Sequence, residues 1–179
     1  GVDAVRYYSL HEMPFAQDGN ITCDVFISRF NSDLANTLGN LVIRTVSMIN
    51  KYFKGSLKNK LANTDFDHIL EEVIEQNLSD YKKEMDSFHL QNAVGKINNI
   101  VSRANKYIDE TTPWVLAKEE ELKNKLASVM YHLAETLRIV SNMVAPIMPN
   151  VAQKIRLALG LDAEFDDLNT LAYGYDYQN

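Results

Sequence analysis

A run of apolar residues at helical spacing, over residues 122–145, constrains the fold of this chain more than any other feature. Two prolines, Pro146 and Pro149, end the run. Its apolar positions recur every three or four residues: Leu126, Val129, Met130, Leu133, Leu137, Val140 and Val144. A stripe of this length predicts one long helix, and such a helix needs other helices to cover its apolar face.

The other apolar patterns are helical as well, and no segment alternates with the period of two that is typical of a strand. The predicted helices cover residues 2–9, 25–30 leading into 32–51, 66–77 with 78–86 as a continuation or a restart, a stretch from 87–89 to 107, and 151–159. The sequence therefore predicts an all-α bundle of about five helices. We expect a connector at residues 1–20, the bundle at 21–160, and a tail at 161–179 that straps across the bundle or frays.

Length and composition fit one soluble domain. The chain has 179 residues, 46% of them hydrophobic, and no apolar run approaches the roughly 20 residues that span a bilayer. Cys23 is the single cysteine, and the sequence begins at Gly1 without a signal-peptide pattern. We therefore expect a cytoplasmic protein with no membrane contact, and a chain that is part of a larger protein.

The charge distribution points to a local basic surface, although the net charge is -6. Residues 34–64 contain no acid and carry Arg44, Lys51, Lys54, Lys58 and Lys60. Residues 87–108 also contain no acid and carry Lys96, Arg103 and Lys106. This pattern suits a protein that contacts phosphate at one place. The sequence leaves open which of the two groups faces a nucleic acid.

The residues indicate no catalytic centre. The four histidines stand apart and there is no second cysteine, so we expect no metal site. There is no glycine-rich phosphate loop, and we expect no cofactor in this chain. The acids at residues 65–75 are interpreted as a solvated helix face rather than a catalytic pair.

A polar stripe and a tryptophan are the candidate site. Asn36, Asn40 and Arg44 fall at i, i+4 and i+8 of the predicted helix 32–51, where two amides and a guanidinium would share one face. Trp114 follows Pro113 in a break between helices, so its ring can be presented to an unstacked base. Two alternatives stay open: Trp114 packs in the core, or Arg44 forms an ion pair with an acid such as Asp109. An acid behind the guanidinium would also orient it for recognition.

Several motifs resemble the anticodon-binding region of bacterial methionyl-tRNA synthetases, and the likeness covers essentially the whole chain. They include Asp-Ala-Val-Arg-Tyr-Tyr at 3–8, Asn-Ser-Asp-Leu-Ala-Asn-Thr-Leu-Gly-Asn-Leu at 31–41 with Arg44, and Thr-Pro-Trp-Val-Leu-Ala-Lys at 112–118. The resemblance implies a class I anticodon-binding bundle whose partners are the anticodon loop of methionine tRNA and an upstream catalytic domain. It also implies a parent enzyme that attaches methionine to this tRNA with ATP and Mg2+ outside this chain.

The resemblance also implies residue roles. Asn40, Arg44 and Trp114 match the positions that read the cytosine of a CAU anticodon, and Asn36, Asp109 and Pro113 match positions that shape the pocket. A cytosine offers an amino donor and ring acceptors that an amide and a guanidinium satisfy together. Two alternatives remain: the equivalent domain of a sister class I synthetase, and a helical protein-interaction module with no RNA partner.

Overall fold

The chain folds as a bundle of helices. The structure, a computed structural model, describes residues 1–12, 22–57, 62–162, 164–168 and 171–174. Its elements are α1 (Val2–Glu12), α2 (Cys23–Arg29), a π-helical segment (Phe30–Gly39), α3 (Asn40–Phe53), α4 (Asp67–Asp86), α5 (Leu90–Thr111), α6 (Pro113–Leu116), a 3-10 turn (Glu120–Leu122), α7 (Lys123–Val144) and α8 (Pro149–Ala158). No strand occurs among the described residues. The predicted all-α class is therefore confirmed, and six α-helices of ten or more residues are close to the expected five.

The helix predicted over residues 122–145 is α7, and it forms the centre of the bundle. It packs against α3, α4, α5, α6 and α8. From Leu126 to Val144 almost every residue is buried, whichever side of the helix it occupies. A helix covered on all sides must satisfy its polar side chains internally. Thr136 does so by donating to the carbonyl of His132 at 2.7 Å.

The single α-helix predicted over residues 32–51 is wrong in its first part. Residues Phe30–Gly39 wind as a π-helix, and the α-helix begins only at Asn40. The Thr37 hydroxyl donates to the carbonyl of Ser32, five residues earlier, at 2.6 Å. π-Helical turns inside helices are rare and occur often at functional sites. The predicted end of the helix is confirmed, because Lys54 and Gly55 take positive φ values of 54° and 80° after the last turn.

The acids at residues 65–75 do not all lie on a solvated face, and this expectation is wrong for Asp67. Its carboxylate is buried and accepts hydrogen bonds from Thr64 and from the Tyr107 hydroxyl, which lies at 2.5 Å. Burial alone would raise the pKa of Asp67, but the hydrogen bonds from Thr64 and Tyr107 outweigh it and lower the pKa. Next to this group, Nε2 of His132 lies 2.9 Å from Glu71. These contacts join α4, α5 and α7.

Helix α1 is fixed onto the corner between α7 and α8. The Arg6 guanidinium donates to the carbonyls of Ile147 and Pro146 at 2.7 and 2.8 Å. The Asp3 carboxylate accepts from the backbone N–H of Val151 at 2.8 Å, in the first turn of α8. A carboxylate at a helix N-terminus satisfies an otherwise unpaired N–H group and complements the helix dipole. Helix α1 is thus hydrogen-bonded to residues at both ends of the turn between α7 and α8.

The described part of the tail packs on α7. Leu171 is buried in the core, and the backbone N–H of Gly174 donates to Glu135 at 2.9 Å. Arg138 of α7 reaches the tail twice, at the carboxylate of Asp166 and at the carbonyl of Ala172. The sequence left open whether the tail packs across the bundle or frays. Residues 164–168 and 171–174 pack across it.

Candidate nucleic-acid interface

The outer face of α3 carries three of the polar residues. Asn40, Arg44 and Lys51 are four and seven residues apart in sequence, so at about 3.6 residues per turn they lie on one side of the helix. The opposite side is the buried one: Leu41, Thr45 and Ile49. Asn36 is exposed but belongs to the π-helical segment, so it does not continue an α-helical stripe. The predicted stripe therefore holds for Asn40 and Arg44.

Arg44 and Asp109 form the ion pair that the sequence suggested as one alternative. Nη2 of Arg44 lies 2.8 Å from Oδ1 of Asp109, which joins α3 to the last turns of α5. The Arg44 side chain is 29% exposed. Its remaining N–H groups have no hydrogen-bond partner among the described residues. The pair fixes the direction of the guanidinium and leaves most of its donors available to a ligand.

The turn between α5 and α6 presents Trp114. Thr112 takes a left-handed conformation with φ 42°, which is uncommon for a β-branched residue and carries strain of about 1–3 kcal/mol. Pro113 is buried and occupies the first position of α6, where the N–H group that proline lacks would have no intrahelical partner. Trp114 is 43% exposed, so it is not a core residue. Neither neighbouring threonine caps α6, since the Thr111 hydroxyl donates to the carbonyl of Tyr107 and Thr112 makes no side-chain cap.

Two parts of the candidate site lie at the C-terminal end of α5. Asp109 contacts Arg44 in the last turns of the helix, and the Pro113-Trp114 turn follows directly. One further residue, Asn105, was not identified from the sequence. Its side-chain N–H group donates to the carbonyl of Thr37 in the π-helical segment at 3.2 Å. Its position four residues before Asp109 could have suggested that both face the same neighbour.

The two basic groups differ in how far their charges are neutralised. Lys96 pairs with Asp80, while Arg103 and Lys106 both pair with Glu110. Lys51 and Lys54 are exposed and have no acidic partner within the described residues. Lys58 and Lys60 lie outside the described residues. The free positive charge beside Arg44 is therefore that of the first group, on and after α3.

In the described ranges, no cluster of three or more histidine, cysteine or acidic side chains is arranged to hold a metal ion. Among these residues no helix is both long and apolar enough to cross a bilayer.

Two family models match the chain. The model described as the anticodon binding domain of methionyl tRNA ligase matches residues 59–172, which is more than half of the sequence. The model of class I tRNA synthetases, methionine type, matches residues 1–46.

Curated relatives agree with these matches. A methionine--tRNA ligase of Lactococcus lactis is 49% identical over 177 residues, which is 99% of this chain and 27% of the relative. The Bacillus subtilis methionine--tRNA ligase is 47% identical and is matched over 92% of this chain and 25% of its own length. The chain thus spans about a quarter of the length of these enzymes.

Solved structures show the same fold. Crystal structures of Mycobacterium tuberculosis methionyl-tRNA synthetase in the free state and with methionyl-adenylate both superpose with a TM-score of 0.86 at 35% identity. The match covers 90% of this chain and 33% of the free-state chain. The α-helical bundle is therefore that of a known family, and the chain belongs to the anticodon-binding domains of the methionyl-tRNA ligases.

Proposed function

We propose that this chain recognises the CAU anticodon loop of methionine tRNA within a methionine--tRNA ligase. The proposal is carried by the Arg44–Asp109 pair in the last turns of α5 and the exposed Trp114 in the turn that follows this helix. Together they offer a fixed guanidinium and an aromatic face at one end of the bundle. This is the combination that single-stranded RNA recognition uses, with stacking for affinity and hydrogen bonds to base edges for selection.

The cytosine of the anticodon is read by two side chains of α3. The Arg44 guanidinium donates to the ring acceptors, and the Asn40 amide oxygen accepts from the amino group. Uracil presents a carbonyl and an N–H where cytosine has an amino group and an acceptor, so it leaves a donor facing a donor. Trp114 stacks on the base and contributes on the order of 1–3 kcal/mol without selecting it.

The remaining site residues position these three. Asp109 holds the Arg44 guanidinium through the 2.8 Å contact. Buried Pro113 and strained Thr112 fix the turn that carries Trp114. Asn36 lies on the exposed side of the π-helical segment and contacts a neighbouring part of the loop. Lys51 and Lys54 contact its phosphates.

The whole protein is proposed to be a cytoplasmic ATP-dependent ligase. Its relatives are methionine--tRNA ligases, and the Mycobacterium tuberculosis structure contains methionyl-adenylate, the product of methionine and ATP. ATP and Mg2+ would bind in the upstream catalytic domain, and residues 1–20 would connect that domain to the bundle.

The single tryptophan of the chain provides the test. Anticodon stem-loops with CAU, UAU and GAU are titrated into the folded protein while Trp114 emission is followed at two salt concentrations. CAU should quench the emission at the lowest concentration, and more weakly at high salt. Preference for another anticodon would assign the chain to a sister synthetase. Equal or no response from all three loops, repeated in the full-length enzyme, would contradict the proposal.

A further inference from the structure

The start of α3 is a junction between two kinds of helix. The π-helical segment Phe30–Gly39 ends where α3 begins, and Asn40 is the first residue of α3. A π-helix closes i→i+5 hydrogen bonds, whereas an α-helix closes i→i+4 bonds. The junction therefore determines how Asn36 is turned about the helix axis relative to Asn40 and Arg44.

Two side chains of α5 hold the chain on either side of Asn40. The side-chain N–H group of Asn105 donates to the carbonyl of Thr37, three residues before Asn40, at 3.2 Å. Asp109 accepts from Arg44, four residues after Asn40, at 2.8 Å. Asn105 and Asp109 are four residues apart and lie on the same face of α5. Helix α5 thus fixes both ends of the stretch from which the exposed Asn40 projects.

The contacts of Asn105 show what its side chain contributes. Nδ2 donates to the carbonyl of Val101 at 3.1 Å as well as to that of Thr37. Both partners are acceptors, so the NH2 group of the amide must face them. The amide oxygen is buried and accepts no hydrogen bond among the described residues. Because a buried unpaired acceptor lowers stability, the benefit of this asparagine lies in its two donors.

Gly39 allows the last turn of the π-helical segment to wind tightly. A Cβ atom at this position would lie 3.0 Å from the carbonyl oxygen of Leu34, five residues earlier. The backbone of Gly39 has φ -60° and ψ -41°, which any residue adopts. Glycine is therefore needed here for the close approach of that carbonyl and not for its backbone angles.

We propose that Asn105 is a positioning residue for anticodon selection, because it holds the π-helical segment and thereby sets the directions of Asn36 and Asn40. The inference rests on the proposed recognition of CAU. Asn105 acts through other residues, since both of its N–H donors are used on backbone carbonyls. Gly39 supports the same junction from within the segment.

An isosteric variant of the full-length enzyme tests the inference. Asn105→Leu removes the two donors and the unpaired acceptor but keeps the size of the side chain. We expect the ratio of CAU to UAU affinity to fall at least fivefold, measured by the anisotropy of fluorescein-labelled stem-loops, while the urea midpoint stays close to that of the wild type. An unchanged ratio would overturn the proposal.

Asn77 of α4 provides the matched control. It is also half-buried and donates to the carbonyl four residues earlier, that of Val73, at 2.7 Å. Its amide oxygen accepts from Asn99, so it joins α4 to α5 and not to the π-helical segment. Asn77→Leu should leave the affinity ratio unchanged. A fall equal to that in Asn105→Leu would show a general effect of altering the bundle and would contradict the proposal.

A double-mutant cycle tests whether Asn105 acts through Asn40. In an Asn40→Ala background, Asn105→Leu should lower the affinity ratio by a smaller factor than in the wild type, because the residue that it positions is absent. Equal factors in both backgrounds would show that the two residues act independently and would overturn the proposed route.

A pair of glycine variants tests the junction without changing Asn105. Gly39→Ala places a methyl group against the carbonyl of Leu34 and also favours an α-helix, so the affinity ratio should fall. Gly95→Ala adds the same methyl group to α5, where no atom lies within 4 Å, and should leave the ratio unchanged. Equal ratios in the two variants would contradict a role of the junction in selection.

Hydrogen exchange without RNA separates this inference from the proposed function. Amides of residues 36–42 should exchange at least threefold faster in Asn105→Leu than in Asn77→Leu. Equal exchange would show that Asn105 does not hold the segment. A wild-type enzyme without CAU preference would contradict the proposed function, whereas a preference that Asn105→Leu retains would overturn this inference alone.

Discussion

Arg44 and Arg138 both pair with carboxylates, but they do so in opposite surroundings. The side chains of Arg44 and Asp109 are 29% and 65% exposed, whereas those of Arg138 and Glu135 are 3% and 5% exposed. Arg138 uses its whole fork: Nε and Nη2 donate to Glu135, Nη1 donates to Asp166, and Nη2 also donates to the carbonyl of Ala172. Arg44 donates to one carboxylate oxygen.

The number of donors in use separates a structural arginine from one that is available to a ligand. Burial alone would lower the pKa of Arg138, but hydrogen bonds and charges from Glu135 and Asp166 outweigh it and raise the pKa above its ordinary value. A guanidinium held in this way connects α7 to the tail, and few of its N–H donors remain for a ligand. Arg44 is oriented by one contact and can still bind RNA.

The largest effect should come from removing the buried arginine. Arg138→Met leaves the carboxylates of Glu135 and Asp166 without their main partner, so we expect a loss of about 3–5 kcal/mol of unfolding free energy. Urea unfolding followed by circular dichroism measures it. Arg44→Met is the matched control, and its loss should stay under about 1 kcal/mol because exposed pairs contribute little. Similar losses from both variants would remove the contrast between the two arginines.

For RNA affinity we expect the opposite order, with the larger effect at the exposed Arg44. Arg44→Gln removes a charged donor to the base, worth about 1.5–3 kcal/mol, so affinity for a CAU stem-loop should fall roughly ten- to hundredfold. The ratio of CAU to UAU affinity should approach one. Arg103→Gln is the control, since this arginine is already paired with Glu110 at 2.7 Å. An unchanged ratio in Arg44→Gln, measured by Trp114 quenching, would exclude Arg44 as the selecting residue.

Local sequence signals predicted most of the fold. The helices α4, α5 and α7 follow from apolar residues at helical spacing, and prolines mark the ends of α5 and α7, at Pro113 and Pro146. The π-helical segment was not predictable in this way, because apolar spacing over ten residues does not distinguish i→i+4 from i→i+5 hydrogen bonds. The burial of Asp67 was missed because its partner Tyr107 lies forty residues away in an acid-free stretch.

The candidate site was predictable where its signals were local. Two adjacent residues, Pro113 and Trp114, indicated the turn. The exposed ring of Trp114 agrees with the interpretation that it can be presented to a base. The contact of Arg44 with Asp109 crosses 65 positions and was suggested only as an alternative. The contact of Asn105 with the backbone carbonyl of Thr37 was missed, because a backbone acceptor leaves no signal in the pattern of side chains. The reading roles of Asn36, Asn40, Arg44 and Trp114 stay predictions.

The smallest effect should come from the partner of the exposed arginine. Asp109→Asn keeps the shape of the side chain but removes its charge, and stability should change by under about 1 kcal/mol. Two opposite effects on RNA follow. One negative charge near the phosphates disappears, so affinity for every loop should rise, and the rise should be larger at low salt. The guanidinium also loses its charged anchor, so the preference for CAU over UAU should fall severalfold. Stem-loop titrations at two salt concentrations separate the two effects. A variant that binds all loops more tightly with the CAU preference intact would show that Asp109 contributes charge alone and that Arg44 is oriented by α3 itself.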